Sequence, residues 1–163
     1  MPNIPDVPFR VVSVDPGLDT GLARMLAGPK LVLEETRVTH YQPLDGVSPL
    51  ADLREWSRAH TDLPTVLVYE DFHVRPGRVK PETTALRVLG GIEEWVRMEN
   101  PYVKIVRREP VQGKLAVTNE VLERMGMLQR GGITRHANDA TRHAVAWLVS
   151  VGYLPASRMA WPS

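Results

Sequence analysis

The stretch Val11-Val12-Ser13-Val14-Asp15-Pro16-Gly17, followed by Thr20-Gly21, constrains the fold more than any other part of the chain. A run of β-branched residues favours a buried strand. The run stops at a carboxylate, and Pro16-Gly17 turns the chain at once. Gly21 to Ala27 can then run back as a paired strand. Asp15 is therefore expected at the end of a rigid strand, where a hairpin opens. A carboxylate placed there is either a solvated strand end or a metal ligand, and this stretch alone does not choose.

The rest of the chain extends that hairpin into a sheet with helices. Phe9 to Asp15 reads as the first strand and Thr20 to Ala27 as the second. After the turn at Gly28-Pro29, Lys30 to Val38 reads as the third, completing a meander. Ser48 as N-cap and Pro49 at the first helical position start a helix, with Leu50, Leu53 and Trp56 at helical spacing through His60. Thr65 to Asp71 is apolar on both faces, which suits a central strand covered by helices. A helix is expected from Glu82 to Glu99. Its Gly90-Gly91 pair marks either a break or a close crossing with another helix, for instance from a second subunit. Strand five spans Pro101 to Arg107, a helix spans Leu115 to about Leu128, and the last helix spans His136 to Tyr153. The expected class is α/β, with a mixed five-stranded sheet and helices on both faces. The whole of 1–163 reads as a single domain, with 1–8 an extended lead-in and 154–163 a tail.

Composition narrows the chemistry. The chain has 163 residues, 43% of them hydrophobic, enough for a substantial core. It has no cysteine, which excludes disulfides, thiolate metal sites and cysteine nucleophiles and is compatible with a reducing cytoplasm. The Pro-rich start lacks the basic and apolar segments of a signal peptide, and no apolar run approaches the ~20 residues of a membrane span. The net charge is +1, so bulk charge does not announce nucleic acid. Its distribution is uneven: Phe72 to Arg135 carries twelve Lys or Arg against seven Asp or Glu. That surplus is either a solvated surface or a binding face. His73 to Pro81 is a basic, Pro- and Gly-containing loop.

Three element ends carry acidic groups: Asp15 on strand one, Glu70 on strand four, and His136 with Asp139 at the start of the last helix. Strands one and four of this topology can lie side by side, so their carboxylates would converge. Residues three apart on a helix are neighbours, and His143 falls on the same stripe one turn later. Carboxylates gathered so closely repel unless protonated or bound to a cation. Hard oxygen ligands suit Mg²⁺ or Mn²⁺, and two such ions about 4 Å apart can support phosphodiester hydrolysis. Each residue also has a structural reading. Asp139 suits a helix N-terminus, and a lone His is more often structural. Glu70 and Asp71 point to opposite faces of a strand, so only one can join the cluster, and periodicity does not decide which. Asp19 and Asp71 read as solvated.

Asp15-Pro16-Gly17 with Thr20-Gly21, Tyr69-Glu70, and His136-Ala137-Asn138-Asp139-Ala140 together resemble the RuvC-type Holliday-junction resolvases of the ribonuclease-H-like superfamily. The resemblance runs from Phe9 to about Tyr153. It implies a ribonuclease-H-like sheet, a three-strand antiparallel meander plus two parallel strands. It implies a metal-dependent endonuclease with two Mg²⁺ or Mn²⁺ ions, acting as a homodimer that nicks four-way DNA junctions in the cytoplasm of a bacterium or of a bacteriophage-infected host. Asp15, Glu70 and Asp139 then look like metal-binding carboxylates, and the match favours Glu70 over Asp71. His136 stands where the family has Asp or His, and would bind metal or act in proton transfer. Phe72 is the nearest candidate for the family's junction wedge. Arg75, Arg78 and Lys80 look like DNA contacts, Lys114 resembles a basic position near the scissile phosphate, and the Gly90-Gly91 helix is similar in place to the family's dimer helix. Alternatives are a flap, fork or other branched-DNA endonuclease, a related RNA-processing enzyme, or a junction-binding module without catalysis. The actin-like ATPases share the Asp-x-Gly and Thr-Gly pattern but need about twice this length.

Overall fold

The computed structural model describes residues 7–59, 62–72, 83–109 and 117–161. The strands are β1 (Phe9–Asp15), β2 (Asp19–Ala27), β3 (Leu31–His40), β4 (Thr65–Glu70) and β5 (Lys104–Arg108). The helices are α1 (Pro49–Ala59), α2 (Thr84–Glu99), α3 (Asn119–Arg124), α4 (Thr134–Ser150) and α5 (Leu154–Ala160). The strands form one sheet in the order β3-β2-β1-β4-β5. β3, β2 and β1 pair antiparallel, and β1, β4 and β5 pair parallel. This is the mixed sheet expected from the order of elements.

Side-chain alternation splits the core in two. Phe9, Val11, Met25, Ala27, Val66 and Val68 point to one face and meet α3, α4 and α5. Val12, Val14, Leu22, Leu67 and Tyr69 point to the other and meet α1 and α2. Phe9 anchors the first layer, edge-on to Trp147 and Tyr153 at 6.3 and 6.1 Å. α1 is tied to the sheet by Arg37 of β3, whose Nη1 lies 2.8 Å from both Asp52 and Glu55. At its start, the Ser48 hydroxyl accepts the Leu50 amide at 3.2 Å, the expected cap.

α2 runs unbroken through Gly90-Gly91. Two interior glycines cost about 1 kcal/mol each relative to alanine. Val88, Leu89, Ile92, Trp95 and Val96 are buried along the same helix, each worth about 1.5–3 kcal/mol, and packing prevails. Among the described residues, a Cβ on either glycine would meet nothing within 4 Å, the helix's own backbone aside.

Two expected helices differ. Of the one foreseen from Leu115 to Leu128, Leu115 and Ala116 lie outside the described residues, and the rest is helical only over α3: Thr118 caps it by accepting the Val121 amide, and Gly126 ends that segment at φ 70°. The one foreseen to Tyr153 ends at Ser150, because Gly152 takes φ 78° and redirects the chain into α5. The stretch read as a tail thus forms a helix through Ala160, with Ala156 and Ala160 fully buried. Among the described residues no helix is long and apolar enough to cross a membrane.

Candidate metal centre

The parallel pairing of β1 with β4 sets Val14 opposite Tyr69, so Asp15 and Glu70 end neighbouring strands at the same edge of the sheet. Glu70 shares the face of Val66 and Val68, and Asp15 that of Val11. Both therefore aim toward α4, and Asp71 does not. The register supplies what the period of β4 alone could not. Asp71 instead accepts the Phe72 amide at 3.0 Å with its own Oδ1, and Asp19 pairs with His40 at 2.6 Å.

Three devices seat the start of α4 against these carboxylates. Gly21 faces Asp15 across the β1–β2 ladder, and its missing side chain leaves room for the His136 backbone. Ser13, buried in β1, donates to the Ala140 carbonyl. Asn138 bridges to Gln129, accepting its amide at 2.8 Å and donating to its carbonyl at 2.9 Å. Thr20 holds the hairpin itself, with its hydroxyl donating to the Gly17 carbonyl at 2.8 Å.

The resulting cluster joins Asp15, Glu70 and His143. One ligand atom from each lies within 4.8 Å of the others. His136 borders the cluster, its Nδ1 2.9 Å from Asp15 Oδ2. Asp139 sits on the same helix, largely buried, but is held by Arg142, with Arg135 Nε at 3.9 Å. It therefore stands beside the three-residue group rather than in it. Burial pushes the Asp15 carboxyl above its ordinary range, opposed by the His136 hydrogen bond; the charge of Asp139 adds to the rise, and those of His143 and His136 oppose it.

His143 has no place in the motif-based set, although it lies on the stripe of His136 and Asp139. It is fully buried. Its Nε2 lies 2.7 Å from Glu70 Oε2, yet the pair misses hydrogen-bond alignment. Among the described residues, both ring nitrogens and that carboxylate oxygen are buried without a hydrogen-bond partner. A buried polar atom left so costs about 1–3 kcal/mol. Two carboxylates and an imidazole with unspent lone pairs, on rigid elements, are a donor set that fits a divalent cation.

Arg108 was also missed. It ends β5 opposite Glu70, is buried, and donates from Nη1 to the His143 carbonyl at 3.1 Å. Burial lowers its pKa. Nothing in an Arg-rich sequence distinguishes it.

Phe72, half-buried, packs against the α1–α2 layer. Arg75, Arg78, Lys80 and Lys114 lie outside the described residues. An open cleft of about 770 Å³ borders Asp139, lined by Asn119, Gly131, Thr134, Arg135 and Arg142 among others. A smaller cavity of about 240 Å³, between α1, α2 and the far ends of β1 and β4, is remote from these groups.

No protein-family model matches the chain, and no curated protein sequence does. Solved structures do match. T. thermophilus RuvC in complex with a Holliday junction superposes with a TM-score of 0.65 at 19% identity, over 89% of this chain and 98% of that one. The fowlpox virus Holliday junction resolvase superposes at 0.58 and 12% identity, over 88% and 99%. Its complex with junction DNA gives 0.57 at 10% identity, over 88% and 99%. What the chain shares with them is architecture: it has the ribonuclease-H-like fold of the RuvC-type resolvases.

Proposed function

We propose that the chain is a structure-selective DNA endonuclease that resolves four-way junctions by divalent-metal-dependent phosphodiester hydrolysis, as a homodimer making paired nicks. The observation that carries this is the convergence of Asp15, Glu70 and His143, distant in sequence, with buried polar atoms unsatisfied among them. The likeness to resolvases solved with junction DNA supports the choice of substrate.

Asp15 and Glu70 would hold the ion, Mg²⁺ or Mn²⁺. An ion there would activate a water and offset charge developing on the phosphate. His136 is oriented by Asp15 through Nδ1, which leaves Nε2 free to take or return a proton. Asp139 is paired with Arg142 through Oδ1, so a second ion at Asp139 would compete with that guanidinium for its charge. Arg75, Arg78, Lys80 and Lys114, with Phe72 just before the basic stretch in sequence, are assigned to the DNA. The cleft beside Asp139, bordered by Arg135 and Arg142, is a path for the backbone.

The test compares a four-way junction, a flap, a fork and linear duplex, with Mg²⁺, with Mn²⁺ and with chelator. Symmetric, metal-dependent nicking of the junction is expected. Cleavage confined to flaps or forks would leave a branched-DNA nuclease of the same fold. Junction binding without cleavage in either metal would leave a binding module.

A further inference from the structure

His143 is the member of the cluster that the motif resemblance does not supply. It lies in the wall between α4 and the sheet, in the run His143-Ala144-Val145-Ala146, all of it buried. A buried neutral imidazole ordinarily donates from one nitrogen and accepts at the other. Among the described residues Nδ1 has no acceptor, and Nε2 abuts Glu70 without completing a bond. A ring kept only for structure would be expected to use its hydrogen bonds. This one is oriented by packing, and its backbone is fastened by Arg108.

We infer that His143 is a nitrogen ligand, with Asp15 and Glu70, to a divalent ion, and that this mixed donor set makes the centre favour a first-row transition ion over Mg²⁺. This rests on the metal-dependent reading above. Mg²⁺ takes oxygen ligands in near-ideal octahedral geometry and gives up water reluctantly. An imidazole nitrogen at a fixed position favours ions further along the transition series, of which Mn²⁺ is the mildest probe.

The experiment uses Mn²⁺ bound to metal-free protein at one equivalent, read by pulsed electron paramagnetic resonance for nitrogen coupling. The chain has five histidines, and His40 is engaged with Asp19 across the β2–β3 pair. A triple variant, His60→Gln with His73→Gln and His136→Gln, therefore leaves His143 as the candidate imidazole without altering it. Nitrogen coupling that persists in the triple variant is expected, with Mn²⁺ bound at least tenfold more tightly than Mg²⁺ in the unaltered protein. In His143→Leu, checked for folding by circular dichroism, the Mn²⁺ preference should fall by about tenfold. Bound Mn²⁺ without nitrogen coupling in the triple variant would make His143 structural and leave the metal-dependent reading standing. Failure of the unaltered protein to bind Mn²⁺ at all would remove both.

Discussion

Gly21 sits so close to His136 that a Cβ placed on it would lie 1.9 Å from the His136 carbonyl oxygen and 2.2 Å from its carbonyl carbon. Those are backbone atoms, which cannot swing aside as the end of a side chain can. Gly21 also pairs with Asp15. One glycine therefore sets the distance between the β1 carboxylate and the helix that completes the site. Gly21→Ala should push the first turn of α4 outward. A loss of about 1–3 kcal/mol in unfolding free energy is expected, with weaker Mn²⁺ binding; a melting curve and a metal titration check both.

Asp15→Asn should abolish cleavage and stabilise the metal-free protein at neutral pH. The sign follows from the raised carboxyl. As pH climbs past the ordinary value of 3.8, the unfolded chain releases this proton first. The folded state, which holds it more tightly, loses stability until its own carboxyl ionises, and the deficit then persists. Unfolding curves in chelator from acid to neutral pH should show the variant and the unaltered protein close together at low pH and apart above the raised value.

Arg142→Gln should leave Asp139 as a largely buried carboxylate with only the exposed Arg135 guanidinium, 3.9 Å away, as its cation. Breaking such a pair costs about 3 kcal/mol. Added divalent ion should recover more stability in this variant than in the unaltered protein, since Asp139 would then be available to it. Thermal shift with and without Mn²⁺ measures the difference.

Arg108→Met removes the guanidinium hydrogen bond to the His143 carbonyl while keeping most of the side-chain volume. A cost of about 1–3 kcal/mol is expected. Hydrogen exchange should quicken in the middle turns of α4, with β2 and β3 little affected.

Replacing Arg75, Arg78 and Lys80 together with Ala should weaken junction binding across sequences and flatten its salt dependence by roughly one unit of slope for each phosphate no longer neutralised. Electrophoretic titrations at several salt concentrations give the slope.

Much of this architecture is legible in the residues. β1 has the boundaries its β-branched run and Pro-Gly turn imply, and the α1 cap is where Ser48-Pro49 puts it. The site is legible in part. Asp15, Glu70 and His136 occupy strand and helix ends that local patterns identify. The preference for Glu70 over Asp71 needed a motif match, because one strand's alternation has no absolute phase until its neighbour's register is known. His143 was visible as a position on a stripe, but its significance lies in two unsatisfied nitrogens, a property of packing. Gly21 was visible as part of a Thr-Gly pair, and only the approach of α4 explains why a side chain cannot stand there. The helix ends at Gly126 and Gly152 depend on positive φ, which an apolar periodicity running past them conceals.

His136, Asp139 and His143 all arrive on α4, which follows every strand of the sheet. A polypeptide still emerging from the ribosome holds Asp15 and Glu70 with nothing opposite them. Under the proposed activity, cutting power therefore switches on only once translation has passed α4. A fragment terminated before residue 134 would lack His136, Asp139 and His143 together, so under that reading the order of the elements alone keeps a half-made chain from assembling the site.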